Sequence, residues 1–159
     1  ATTIIAVDGN DHRLGIAQKM GADVTLNFKN CDVIDEIMKI TGGRGADSAI
    51  EALGTQATFE SALRSIKPGG TLSSLGVYSE DLKIPLSAFA AGLGDHKINT
   101  ALCPGGKERM RRLMNVLASN RLDLGLLVTH QYKLDDIVAA YDLFAHQRDG
   151  VLKVAIKPQ

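Results

Sequence analysis

Short runs of apolar residues alternate with amphipathic stripes through the first two thirds of the chain. The first run, residues 4–7, is continuous instead of alternating with polar residues, which is typical of a strand buried on both faces of a parallel sheet. Together the runs predict strands over residues 4–7, 24–28, 48–52, 71–77 and 97–102.

Between these runs, apolar residues recur at helical spacing. Phe59, Ala62, Leu63 and Ile66 fall at i, i+3, i+4 and i+7, the core face of a helix, and Lys67-Pro68-Gly69-Gly70 is expected to stop that helix. Further helices are predicted over 11–20, over 32–41 with Asp32 as the cap, and after Gly106. Strands that alternate with helices at this spacing predict an α/β fold with right-handed crossovers and a parallel sheet.

The alternation weakens after Val77. Residues 78–95 contain Pro85 and predict an irregular segment with a short helix. The tail is predicted to be extended over 122–134, helical over 135–147 and a strand over 152–156. Because this tail does not continue the α/β repeat, a domain boundary is predicted near residues 121–126, which gives domains of 1–122 and 123–159.

Composition excludes several classes of function. The chain has 159 residues, of which 45% are hydrophobic, and its 18 Lys and Arg equal its 18 Asp and Glu. A neutral balance favours neither nucleic acid nor a membrane surface, and no apolar run approaches the roughly 20 residues of a membrane span. Cys31 and Cys103 stand far apart without histidine neighbours, so a reducing cytoplasm is predicted.

Asp8 directly follows the first predicted strand, with Asn10 and Arg13 close behind. A carboxylate in this place can accept both hydroxyls of an adenosine ribose, and its charge repels a 2′-phosphate. Arg13 could reach the ribose or lie along the adenine. The three residues together favour a ribose site. The alternative is that Asp8 only caps the helix or forms a turn with Gly9.

Ligands bind at the carboxyl ends of strands in open parallel sheets. This rule nominates residues that end the third, fourth and fifth predicted strands, where small side chains let a flat ring approach the backbone. The nominated residues are Leu53, Gly54, Leu75, Gly76, Val77, Ala101 and Cys103. The alternative for any one of the glycines is that it only serves a turn.

Five blocks of sequence, in order, resemble the medium-chain, zinc-dependent alcohol dehydrogenases. They are AVDGNDHRLGIAQKMGAD, TGGRGADSAIEALG, SALRSIKPGGTLSSLGVYS, LCPGG and LVTHQYKLDDIVAAYDLFAHQRDGVLKVAIKP. LCPGG is similar to the bacterial secondary-alcohol branch, which often uses NADP, whereas Asp8 points to NAD.

The resemblance implies roles for individual residues. Asp8 would hold the adenosine ribose with Arg13 beside it, and Lys153 would contact the cofactor pyrophosphate. Main-chain groups near the nicotinamide would come from the ends of the fourth and fifth strands, at Leu75, Val77, Ala101 and Cys103. The tail from about Leu124 would return into the catalytic domain, and residues 78–103 would join subunits into a homo-oligomer. The apolar stretch at 85–94 fits such an interface and fits a core helix equally well.

The resemblance also implies parts that lie outside this sequence. In the family the catalytic zinc ligands, the glycine-rich phosphate loop and the first strand precede the equivalent of Ala1. In a doubly wound sheet of order 3-2-1-4-5-6 that strand lies at the centre, so the predicted fold is a Rossmann-type doubly wound parallel sheet lacking its first strand. Zinc is therefore expected only in the intact enzyme. This segment is expected to contain no catalytic residue or metal ligand, and to be inactive alone.

The prediction is thus the C-terminal portion of an enzyme that transfers hydride between an alcohol or carbonyl substrate and NAD. Two alternatives remain open. A methyltransferase using S-adenosylmethionine also places an acid after its second strand and often carries a KPGG turn. The sequence also does not exclude a catalytically inactive module that only dimerises.

Overall fold

A computed structural model describes residues 1–101 and 105–158. The strands are β1 (Ile5–Asp8), β2 (Val24–Asn27), β3 (Ala46–Glu51), β4 (Ile66–Ser74), β5 (Lys97–Thr100), β6 (Val128–Lys133) and β7 (Lys153–Lys157). The α-helices are α1 (Asp11–Lys19), α2 (Val33–Ile40), α3 (Gln56–Ser65), α4 (Lys107–Ala118) and α5 (Ile137–Ala145). Short 3₁₀ turns cover 90–92, 125–127 and 134–136.

Every strand pairing in the described residues is parallel. β1 pairs with β2, β3 with β4 and β4 with β5, while β6 pairs with β7. The helices lie between successive strands, so the predicted α/β class with parallel sheets is confirmed. Part of the predicted fifth strand, residue 102, lies outside the described residues.

β1 and β3 each pair with a single neighbour in the described part of the chain. The residues of these two strands are accordingly less buried than the sequence pattern predicts. Ile50 in β3 is 72% exposed and Val7 in β1 is 44% exposed.

The first three helices begin at polar caps that satisfy free backbone N–H groups. Asp32 confirms the predicted cap of α2, since its Oδ1 accepts from the backbone N of Ile34 and of Asp35. Thr55 and Thr58 cap α3 reciprocally.

The boundary between α3 and β4 differs from the prediction. The helix ends at Ser65, and Ile66 begins β4 instead of completing the helical stripe. A residue before proline is disfavoured in the helical region, so Pro68 keeps Lys67 extended and the chain straightens one residue earlier. β4 also ends earlier than predicted, at Ser74, so Leu75 to Val77 lie beyond the strand.

The chain forms two compact units, residues 1–29 with 107–159, and residues 30–106. The predicted boundary near residue 122 stays a prediction. The core of the second unit is a cluster of buried apolar side chains from α3, β4 and the following segment. Its members are Phe59, Leu63, Ile66, Leu72 and Ala88. No helix in the described residues is long and apolar enough to cross a membrane.

The irregular segment after β4 is tied along α3. Gln56 donates through Nε2 to the carbonyl of Lys83 at 2.8 Å and accepts from the backbone N of Lys83 at 2.9 Å. Further along the helix, Arg64 donates to the hydroxyl of Ser87 at 2.9 Å. With Ala88 in the core, these bonds fix the course of residues 78–88.

Candidate cofactor site

Asp8 occupies the last position of β1 and its side chain is about one-third exposed. Its Oδ1 accepts a hydrogen bond from the backbone N of Asn10 at 2.9 Å, which forms an Asx turn. Its Oδ2 lies 3.9 Å from a guanidinium nitrogen of Arg13. The turn of the alternative hypothesis is therefore present, but it uses one carboxylate oxygen and leaves the second beside Arg13.

Asn10 has a structural role in addition to any contact with a ligand. Its Oδ1 accepts from the backbone N of His12 at 2.9 Å and of Arg13 at 3.4 Å, which caps α1. The amide oxygen is thereby committed to the helix. Asn10 fixes where α1 begins and so where Arg13 stands relative to Asp8.

Phe28, which sequence reasoning did not select, lies next to this turn. Its ring covers Gly9 so closely that a Cβ on Gly9 would overlap Cζ and lie 2.9 Å from Cε1 and 3.0 Å from Cε2 of the ring. The side chain is 56% exposed and follows the carboxyl end of β2. Phe28 is the last residue of the predicted second strand, and an aromatic residue at that end of a parallel strand was the available signal for this position.

The predicted residues after β3 and β4 present an apolar surface. Leu53, Leu75 and Val77 are large apolar side chains left more than half exposed. They follow the carboxyl ends of neighbouring parallel strands, the edge at which open sheets bind ligands. Ala101 is exposed just beyond β5, and Cys103 lies outside the described residues.

Gly54 and Gly76 bring these two strand ends into direct backbone contact. A Cβ on Gly54 would meet the backbone of Val77, with its C and N atoms both at 2.7 Å, and Gly54 has a φ of +90°. A Cβ on Gly76 would meet the backbone N and Cα of Gly54. Close backbone packing therefore requires glycine at both positions. The candidate site consists of the exposed side chains around them, Leu53, Leu75 and Val77.

Glu51, at the end of β3, is a buried acid that the sequence reasoning missed. Burial by itself raises the pKa of its carboxyl, but hydrogen bonds from Tyr78, Gly54, Leu53 and Thr58 outweigh it and lower the pKa to about 2. The pKa of the Tyr78 hydroxyl is raised in turn, by burial first and then by its bond to Glu51. Glu51 is therefore ionised at neutral pH while Tyr78 stays protonated.

Lys153 begins β7, opposite Val128 in the register, and is exposed. Its contact with a pyrophosphate stays a prediction.

Zinc is implied by the resemblance but does not fit the residues described here. No group of three His, Cys, Asp or Glu side chains within residues 1–101 and 105–158 could hold a metal ion. His130 lies 3.2 Å from Asp149, and His146 lies 3.0 Å from Asp142, as surface pairs in the tail. No step of a reaction is therefore assigned to zinc within this chain.

Comparison with known proteins shows where this chain belongs. The sequence profile of the zinc-binding dehydrogenases matches residues 1–119. An alcohol dehydrogenase from Cupriavidus necator is 84% identical over 158 residues, which cover 99% of this chain and 43% of that protein. An NADP-dependent isopropanol dehydrogenase from Clostridium beijerinckii is 34% identical and is covered over 45% of its length, with 98% of this chain aligned.

Solved structures agree with the sequence matches. The zinc-dependent alcohol dehydrogenase 2 from Streptococcus pneumonia, in its apo form, superposes with a TM-score of 0.89 at 32% identity. The match covers 98% of this chain and 44% of the other. The chain thus spans less than half the length of the relatives that it matches, and the methyltransferase alternative finds no support among them.

The predicted resemblance is therefore confirmed, and the parallel α/β architecture is of the Rossmann type. The chain belongs to the family of zinc-binding dehydrogenases.

Proposed function

We propose that this chain is the cofactor-binding, C-terminal portion of an alcohol dehydrogenase that transfers hydride between an alcohol and NAD. The observation that carries this proposal is the 84% identity, along 99% of the chain, to a protein named as an alcohol dehydrogenase. The geometry supports it, because the predicted ribose and nicotinamide residues stand at the carboxyl ends of parallel strands.

Bound NAD would supply the hydride acceptor, and the residues of this chain would hold it. Asp8 offers an ionisable carboxylate to the ribose hydroxyls, with Arg13 beside it. Leu53, Leu75 and Val77 offer an apolar surface to the nicotinamide half and exclude water from it. Asn10, Ala101, Cys103 and Lys153 keep the roles that the sequence predicts.

The choice of NAD over NADP is part of the proposal. The isopropanol dehydrogenase of Clostridium beijerinckii is NADP-dependent by name. In this chain a carboxylate, Asp8, stands at the end of β1, where the proposed cofactor would bring its adenosine ribose. Like charges at close range disfavour a 2′-phosphate there.

The experiment is a graft. Residues 1–159 replace the matching C-terminal portion of the Cupriavidus necator enzyme, which keeps its own preceding sequence. The zinc-supplemented graft is expected to reduce NAD when given primary or secondary alcohols, followed by the near-ultraviolet absorbance of NADH. The unaltered Cupriavidus necator enzyme is the matched control.

Two results would contradict the proposal. A folded graft that binds NADH but oxidises none of the alcohols would favour a binding module that only dimerises. A folded graft that binds neither NADH nor NADPH would show that the proposed cofactor site is wrong.

Residues 78–103 are proposed as a contact between copies of this chain. Support comes from exposed apolar side chains at Leu82, Ile84, Leu86 and Leu93, and from β5, which pairs only with β4 in the described residues. Light scattering on the graft is expected to give the mass of an oligomer, and a monomer would contradict this contact.

We also propose that the chain divides into domains at residue 122 and that the protein is cytoplasmic.

A further inference from the structure

Glu51 is the most heavily hydrogen-bonded buried side chain described in the chain. It is 3% exposed, and none of the described ion pairs includes it. Its carboxylate is held by neutral donors from three places in the fold. The donors are Leu53 N at 2.7 Å, Gly54 N at 2.7 Å, Thr58 Oγ1 at 2.8 Å, Ser74 Oγ at 3.3 Å and Tyr78 Oη at 2.6 Å.

The two oxygens of Glu51 serve different segments. Oε1 accepts from Leu53, Gly54 and Thr58, and so fixes the turn that follows β3. Oε2 accepts from Ser74 and Tyr78, which stand on either side of Leu75 to Val77. The main-chain carbonyl of Glu51 also accepts from Leu75 N at 2.7 Å. One residue therefore ties together both strand ends that carry the exposed apolar surface.

Tyr78 makes this connection rigid. Its ring packs edge-on against Phe59, with centroids 6.2 Å apart and planes at 82°, and Phe59 belongs to the buried core. Its hydroxyl lies 2.7 Å from that of Ser74 as well as 2.6 Å from Glu51. The segment after β4 is thus fixed to the core at one end and to the carboxylate at the other.

An apolar side chain in place of Glu51 could accept none of these hydrogen bonds and would leave Leu53 N, Gly54 N and Tyr78 Oη without this shared partner. We propose that Glu51 is a positioning residue, which sets the spacing between Leu53–Gly54 and Leu75–Val77 for the nicotinamide half of the cofactor. This inference rests on the proposed function, because it takes those strand ends to face the cofactor.

Two substitutions remove the hydrogen bond from Tyr78 Oη to Glu51 Oε2, one by changing its acceptor and one by changing its donor. In Glu51→Gln the amide oxygen can still accept from Leu53 N and Gly54 N. The amide nitrogen can only donate, so the charge-assisted bond that the Tyr78 hydroxyl donates to Oε2 is lost. Tyr78→Phe removes the same bond and keeps the ring against Phe59. Glu60→Gln is the matched control, since it removes a carboxylate charge and the Arg64 ion pair from α3 in the same unit.

The measurement is NADH binding to the grafted enzyme by fluorescence titration, with steady-state kinetics alongside. Glu51→Gln and Tyr78→Phe are each expected to raise the Kd for NADH about tenfold, the effect of losing one charge-assisted hydrogen bond. The KM for the alcohol should change less than about twofold. The double variant should lose no more than either single variant, because both interrupt one link.

The pH dependence of stability gives a separate readout. The folded pKa of Glu51, about 2, lies below its ordinary value of 4.5, so its contribution is complete above about pH 4.5 and is lost as the pH falls towards 2. The difference in urea midpoint between the parent and Glu51→Gln should therefore become smaller as the pH falls from about 4.5 towards 2. Glu60→Gln should leave NADH binding unchanged.

The outcomes separate this inference from the proposed function. If the parent graft binds NADH while both variants bind it equally well, Glu51 does not position the site and the inference is wrong. If the parent graft binds no NADH, the proposed function is wrong and the inference falls with it. If Glu51→Gln proves too unstable to measure, Tyr78→Phe decides between these results by itself.

Discussion

Gly76→Ala is expected to destabilise the fold by about 3 kcal/mol or more, the upper part of the range for overpacking a closed site. The new Cβ would overlap the backbone N and Cα of Gly54 and lie 2.6 Å from Oε2 of Glu51. Backbone atoms cannot rotate away as the end of a flexible side chain can. The turn after β3 would have to move as a whole, and the hydrogen bonds around Glu51 would break with it.

The matched control is Gly15→Ala in α1. A Cβ at Gly15 has no neighbour within 4 Å, and alanine in a helix interior is about 0.5–1 kcal/mol more favourable than glycine. The same chemical change should therefore stabilise at residue 15 and destabilise at residue 76. Urea midpoints of the two grafted variants measure the difference, and equal midpoints would contradict the interlocked backbones described here.

Gly76→Ala should also weaken cofactor binding. Leu75 and Val77 flank the substituted residue and form part of the exposed apolar surface. A variant that remains folded but binds NADH as tightly as the parent would show that this surface does not contact the cofactor.

The order of helices and strands could be predicted from the sequence because apolar spacing is a local signal. The caps at Asp32 and the helical stripe of Phe59 and Leu63 are determined by neighbouring residues, and the structure confirms them. Ile66 shows the limit of that reasoning. The spacing of Ile66 fits the helix, but Pro68 keeps the preceding residues extended. Ile66 is therefore the first residue of β4, and its side chain is buried as part of that strand.

The sequence could predict those site residues that follow the end of a strand. It could not predict those whose role depends on hydrogen-bond partners distant in the sequence. Asp8 follows an apolar run and could be selected directly. Glu51 stands inside a polar-looking strand, and its donors include Tyr78, which is distant in sequence and is brought close only by the pairing of β3 with β4. No spacing rule connects such residues. The commitment of Asn10 to the helix cap likewise required the backbone geometry.

Asp8→Ser is expected to lower the preference for NAD over NADP about a hundredfold, measured as the ratio of kcat/KM values. The change removes the acceptor for the ribose hydroxyls and the repulsion of a 2′-phosphate, and a hundredfold corresponds to about 2.7 kcal/mol. Serine can still accept from the backbone N of Asn10, so the turn is kept. Arg13, which lies 3.9 Å from the lost carboxylate oxygen, becomes available to pair with a phosphate.

Asp11→Ser is the matched control, because it removes the same charge from the first turn of α1. Asp11 accepts from the side chain of Asn27 at 2.6 Å, so its loss loosens the local structure without touching the Asp8 carboxylate. If the preference arises from Asp8 itself, the control should keep the NAD to NADP ratio within about threefold of the parent. Adding Arg13→Ala to Asp8→Ser should abolish most of the gain with NADP. Equal shifts in the two single variants would mean that net charge near α1, and not a carboxylate at the ribose, sets the choice of cofactor.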